Sequence, residues 1–179
     1  MNPTYHSLGD HTESIEIDYD PAAVSYEDLL AIFWEGHDPW ARPWSTQYKA
    51  AIFYRNDEQR RLAEESRKRI AAKQKTTVRT EIVPFSTFYT AEAYHQKYSV
   101  RSQPEIMKEF RAIYSSDDAF MNSTATARVN GYLNGLSDFE SVREAVGKIA
   151  ISAQTRERLL AEIRKHGERF GRALCGRSG

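Results

Sequence analysis

Gly9-Asp10-His11-Thr12-Glu13-Ser14-Ile15-Glu16-Ile17-Asp18-Tyr19-Asp20-Pro21 is the stretch on which the fold of this chain turns. From Ser14 to Asp20 polar and apolar residues alternate, the period of a half-buried β-strand. Ile15, Ile17 and Tyr19 share one face; Ser14, Glu16, Asp18 and Asp20 share the other. Glu13 has the parity of the isoleucines. A carboxylate at the mouth of an apolar strand face is costly to ionise, so its pKa is expected to rise and its protonated form to serve as a proton donor. The alternation equally allows a strand that starts at Ser14, with Glu13 solvated ahead of it.

Outward from this stretch, Asp20-Pro21 turns the backbone and Ser25, with Asp28 three residues on, reads as a capping box. Tyr26, Leu29, Leu30, Ile32, Phe33 and Trp34 supply a broad apolar helix face that Gly36 ends. An aromatic and proline-bearing loop, His37 to Thr46, carries Trp40 and Trp44. Lys49 to Tyr54 predicts an interior strand. Asp57 is the expected cap of a charged helix to about Ala72, its Arg and Glu residues forming a solvated face with helical ion pairs. Thr76 to Val83 predicts a strand, and Thr90 caps an expected helix to about Tyr98. Pro104 starts a helix carrying Ile106, Met107, Phe110 and Ile113 on one face. Asn122 to Arg128, with Gly131 and Gly135, reads as a small-residue connector. Two helices are expected to close the chain, Asp138 to Lys148 and Ser152 to Leu174.

Composition narrows the function. Lys and Arg together number 25 and Asp and Glu together 25, so there is no net charge to recruit nucleic acid. No apolar run approaches the roughly 18 residues that span a bilayer. The residues after Met1 are polar, so a signal peptide is not expected. One cysteine, Cys175, among 179 residues forms no internal disulfide and suits the reducing cytoplasm. His11, His37 and His95 have no metal-site spacing with Glu13 or Asp38, and no metal is expected.

Five ordered pieces then carry a resemblance. Asn2-Pro3-Thr4-Tyr5 with Gly9 to Glu13 and Tyr19-Asp20-Pro21 come first, followed by Phe33-Trp34-Glu35-Gly36-His37-Asp38-Pro39. Gln47-Tyr48-Lys49-Ala50-Ala51-Ile52-Phe53, Thr80-Glu81-Ile82 and Phe88 to Tyr98 complete the set. Together they resemble the middle and C-terminal core of the peptide methionine sulfoxide reductase A family. The resemblance implies an α/β (α+β) fold, a two-layer sandwich around a mixed sheet. It implies a reductase-like domain over residues 1–115 and a helical extension over 116–179. It implies no bound cofactor, thioredoxin as reductant, and oxidised methionine, in proteins or free, as substrate, in protein repair under oxidative stress.

Such chemistry needs a thiolate to attack the sulfoxide, an acid for the departing oxygen, an apolar pocket for the methyl group and a second reductant. By resemblance the acid is Glu13, in a Gly-His-Ala-Glu-like motif that reads Asp10-His11-Thr12-Glu13 here, and Tyr48 is the phenol that hydrogen-bonds the sulfoxide oxygen. From the residues alone, Tyr48 is equally an aromatic at a strand start. His11, His37 and Trp44 are the expected pocket residues, Trp44 as methyl-binding wall or as plain hydrophobic lid. An aspartate that the family places shortly before its Gln-Tyr pair has no counterpart in Ala41-Arg42-Pro43-Trp44-Ser45. Cys175 resembles a resolving cysteine in a C-terminal tail, and reads otherwise as an incidental thiol. The family's Gly-Cys-Phe-Trp segment, with its nucleophile, lies upstream of the Asn-Pro-Thr-Tyr region. The expectation is therefore a chain without the first strand and helix and catalytically incomplete as given. The alternative is a non-catalytic module that binds methionine sulfoxide or serves as a scaffold.

Overall fold

The computed structural model describes residues 11–74, 76–134 and 139–175, with side chains described to residue 165. Asn2 to Tyr5, Gly9, Asp10, Gly135, Asp138 and the tail after Cys175 lie outside the described residues. Among the described residues there are two strands and eight helices, a mixed α+β chain. It divides into two compact units, Met1–Thr90 and Ala91–Gly179. The break in packing falls at Thr90, whereas the division at residue 115 expresses the extent of the family resemblance.

The first unit holds α1 (Tyr26–Glu35), β1 (Ala51–Tyr54), α2 (Asp57–Ala71) and β2 (Glu81–Pro84). The capping box forms as expected: Ser25 Oγ accepts from Asp28 N at 3.1 Å, and Ser25 N donates to Asp28 Oδ2 at 3.0 Å. Asn56, one residue earlier than expected, caps α2 by accepting from Gln59 N at 2.9 Å. β1 and β2 pair in parallel, Ile52 opposite Ile82, with α2 as the crossover that a parallel pair requires. Leu30 and Trp34 of α1, Ile52 of β1 and Ala63 of α2 form one buried cluster, flanked by Tyr26, Phe33, Leu62, Ile70, Val78 and Ile82. The Trp34 indole N–H donates to the buried Ser66 Oγ at 2.9 Å, so this large residue is buried with its one donor satisfied.

Two strand expectations are corrected. Ser14 to Asp20 is not a strand; it has no ladder, and Ile15 and Ile17 are 83% and 53% exposed. Alternation marks what a strand would bury, but a strand exists only where a neighbour takes its N–H and C=O groups. Thr76 to Thr80 likewise precedes the ladder, which begins at Glu81. β1 is also less interior than its apolar run suggests, since Phe53 is 38% exposed opposite the buried Ile52.

The second unit is helical: α3 (Tyr98–Arg101), α4 (Pro104–Ile113), α5 (Asp117–Met121), α6 (Thr124–Tyr132), α7 (Phe139–Gly147) and α8 (Ala153–Cys175). Val100, Ile106, Met107, Phe110, Phe120 and Val129 lead a single buried cluster that Leu159 and Ile163 of α8 join. Pro104 opens α4 as expected. The helix expected from Thr90 starts only at Tyr98, after Lys97 takes a left-handed φ of 54°. The expected connector at Asn122–Arg128 is instead capped by Ser123 and forms α6. Its small residues permit close approach, and Thr126 and Val129 are fully buried.

Candidate active site

The site is built where α1 ends. A helix leaves its last carbonyls without partners, and His37 meets that need: its Nδ1 lies 2.7 Å from the Phe33 carbonyl oxygen. A carbonyl only accepts, so Nδ1 carries the proton. In the neutral ring Nε2 is then the acceptor, and it takes the hydroxyl of Thr80, 2.9 Å away and 2% exposed. His37 therefore joins α1 to the residue before β2, with both ring nitrogens engaged. Its ring packs on Phe33 at 4.5 Å and stacks on Trp34 at 5.6 Å.

The loop that follows returns toward β1. Asp38 Oδ1 accepts from Trp40 N at 3.0 Å, and Tyr48 N donates to the Ser45 carbonyl at 3.3 Å, two local turns. They bring Trp44 over Tyr48, ring centroids 4.5 Å apart. Lys49, next in line, is anchored to Glu81 at 2.7 Å. Phe33, Gly36, His37, Tyr48, Lys49 and Ala50 line a hollow of about 350 Å³. It is a shallow, open depression lined by the aromatic residues Phe33, His37 and Tyr48 together with Lys49, whose ammonium group is paired with Glu81.

Glu13 arrives from the other side. Its N–H donates to the Gln47 carbonyl at 2.9 Å, and Gln47 Nε2 donates to its Oε1 at 2.7 Å. Thr12 Oγ1 donates to the Thr46 carbonyl at 3.1 Å. Farther along, Arg55 pairs with Glu16. The segment thus runs beside residues 46–55 without entering the sheet. Glu13 is exposed, so the burial by an apolar strand face that alternation suggested is absent, and its surroundings are a hydrogen-bonding amide instead.

Of the residues expected at the site, His37 and Tyr48 share the hollow, Trp44 stacks on Tyr48, and Glu13 is bound to the residue before Tyr48. His11 lies apart from the lining, edge-on to Tyr89 at 5.2 Å. Cys175 ends α8 in the second unit, and its side chain lies outside those described. Gln47 was missed as a site residue although it stands inside the quoted Gln47-Tyr48 motif. Among the described residues no three His, Cys, Asp or Glu side chains gather as for a metal ion, and no helix is long and apolar enough to cross a membrane.

A family model described as peptide methionine sulfoxide reductase matches residues 1–128. A peptide methionine sulfoxide reductase of Drosophila melanogaster is 32% identical over 157 residues, 87% of this chain and 63% of that protein. The peptide methionine sulfoxide reductase MsrA of Methanothermobacter thermautotrophicus is 44% identical over 108 residues, 54% of this chain and 64% of the relative. The peptide methionine sulfoxide reductase A5 of Oryza sativa subsp. japonica is 32% identical over 136 residues, 73% of this chain and 53% of the relative. The chain spans less than two thirds of the length of each of these relatives.

Proposed function

Since the chain belongs to the peptide methionine sulfoxide reductase family, we propose that it serves the reduction of methionine (S)-sulfoxide, in proteins or free, and that its own share is to recognise the sulfoxide. In the net reaction a thiol takes up the sulfoxide oxygen: thiol plus sulfoxide gives sulfenic acid plus thioether. A dithiol of the thioredoxin class then reduces the sulfenic acid, releasing water and becoming a disulfide. No metal or organic cofactor enters this balance. The cytoplasm, where thiols stay reduced, is the compartment that fits.

The observation that carries this reading is the hollow beside the Trp44–Tyr48 stack. A methyl sulfoxide is a small apolar group bearing one strongly accepting oxygen. Trp44 and Phe33 suit the methyl group, and the Tyr48 phenol suits the oxygen. Glu13, tied to Gln47, is the candidate second donor to that oxygen and the acid that protonates it. His37 serves as wall rather than base, because both its nitrogens are engaged.

Cys175 is the sole thiol of the 179 residues and lies 127 positions after Tyr48 by sequence number (175 − 48). We take it as incidental and take this polypeptide as a binder that, alone, does not turn the sulfoxide over. Calorimetric titration with N-acetyl-methionine (S)-sulfoxide methyl amide, its (R) epimer and the thioether tests this. The (S)-sulfoxide binds at least about tenfold more tightly than the thioether, the worth of one or two hydrogen bonds. Equal affinities for all three would refute the reading.

A further inference from the structure

Glu13 lies on an exposed segment without regular structure, yet one residue grips both its main chain and its side chain. Gln47 accepts the Glu13 N–H on its carbonyl at 2.9 Å and donates from Nε2 to Oε1 at 2.7 Å. The preceding pair repeats the tie through Thr12 Oγ1 and the Thr46 carbonyl at 3.1 Å. An unrestrained glutamate on such a segment would sample many rotamers, and a substrate would have to order it on binding. Two contacts from one residue remove that freedom in advance, which is what precise placement of a reacting group requires.

The bond also selects an oxygen. An N–H donor on Oε1 makes that atom the acceptor, so in the acid form the proton resides on Oε2. Among the described residues the one side-chain hydrogen bond printed on this carboxyl group is to Oε1, from Gln47 Nε2. We propose that Gln47 is a positioning residue for sulfoxide recognition, holding the Glu13 main chain and carboxyl group to the residue that precedes Tyr48. The proposal rests on the role given to Glu13 under Proposed function.

A double-mutant cycle on the full chain separates the two. Gln47→Met keeps the side chain's length and removes the donor; Glu13→Ala removes the carboxyl group. For the parent, each single variant and the pair, affinity is measured for N-acetyl-methionine (S)-sulfoxide methyl amide and for the corresponding thioether. We expect each single variant to lower the sulfoxide-over-thioether ratio about five- to tenfold, with thioether affinity unchanged. We expect the double variant to lose no more than Glu13→Ala alone.

If Glu13→Ala lowers the ratio and Gln47→Met leaves it unchanged, or if the losses add, the positioning role falls while the reading of Glu13 stands. Loss of thioether and sulfoxide affinity together in Gln47→Met would make Gln47 a structural residue and overturn the proposal. An unchanged ratio in Glu13→Ala would overturn both.

Discussion

The indole of Trp44 stacks on the phenol of Tyr48, ring centroids 4.5 Å apart and planes inclined by 20°, while Trp44 remains 79% exposed. A tryptophan so open to water adds little to the core, and under the proposed function it is covered when the sulfoxide binds. Stability and recognition should therefore separate at this residue. Trp44→Ala is expected to shift unfolding free energy by no more than about 0.5 kcal/mol, as for other surface changes. The same variant should weaken (S)-sulfoxide binding by about fivefold, with Trp44→Phe intermediate. Urea unfolding and calorimetry on the same samples check both halves. A large stability loss with intact binding would make Trp44 a lid residue.

A second expectation concerns the thiol. With Cys175 as its sole cysteine, the chain should show no thioredoxin-coupled consumption of NADPH with a sulfoxide substrate above background. Turnover that vanishes in Cys175→Ser would instead make Cys175 the nucleophile.

Acid should loosen the helical unit through Glu109. Its carboxylate accepts from Ser152 N at 2.7 Å, from the Thr155 hydroxyl at 2.6 Å and from the Ser152 hydroxyl, at the start of α8. The Ser152 hydroxyl, then Thr155 and the Ser152 N–H, hold its pKa below the usual carboxylate value. A depressed folded pKa means stability fully present above the unfolded value, about 4.3, and lost as pH falls through the folded one. The parent should thus be more stable than Glu109→Gln at pH 7, and the difference should shrink steadily below about pH 4.3. Thermal unfolding of both proteins from pH 7 to pH 3 checks this; a constant difference would contradict it.

The capping box of Ser25 and Asp28, the core positions Leu30 and Trp34, and α4 behind Pro104 were legible in the sequence because each depends on neighbours within one or two helical turns. Ser14 to Asp20 misled because alternation states a preference for burial but cannot supply the adjacent strand. Asn122 to Arg128 misled in the opposite sense: alanine and threonine carry no apolar stripe, and packing of Thr126 and Val129 decides for helix. At the candidate site, Tyr48 and His37 stood out through the family resemblance and Trp44 through the aromatic loop, and the structure brings these three near one another. The hold of Gln47 on Glu13 was not, since a side-chain bond across 34 residues leaves no periodic trace.

The first unit exposes apolar surface around its small sheet. Phe53 is 38%, Ile32 64%, Ile17 53% and Ile15 83% exposed, and among the described residues no third strand joins the parallel pair. The chain is expected to self-associate with rising concentration and to bind dyes that report apolar surface. Ile15→Lys with Ile17→Lys should reduce both. Light scattering across a hundredfold concentration range decides, and a monodisperse, dye-silent monomer at all concentrations would contradict it.

The proposed function holds that the hollow lined by Phe33, His37 and Tyr48, with Trp44 stacked on Tyr48 and Glu13 held by Gln47, recognises the oxygen of a methionine sulfoxide. Nuclear magnetic resonance of the isotopically labelled chain, titrated with N-acetyl-methionine (S)-sulfoxide methyl amide and separately with its thioether, tests it most directly. Saturable shifts at the Trp44 indole, the Gln47 side-chain amide and the backbone of Tyr48 and Glu13, larger for the sulfoxide than for the thioether, are the predicted result. Shifts that are identical for the two ligands, or that fall elsewhere and leave these four residues unmoved, would contradict it.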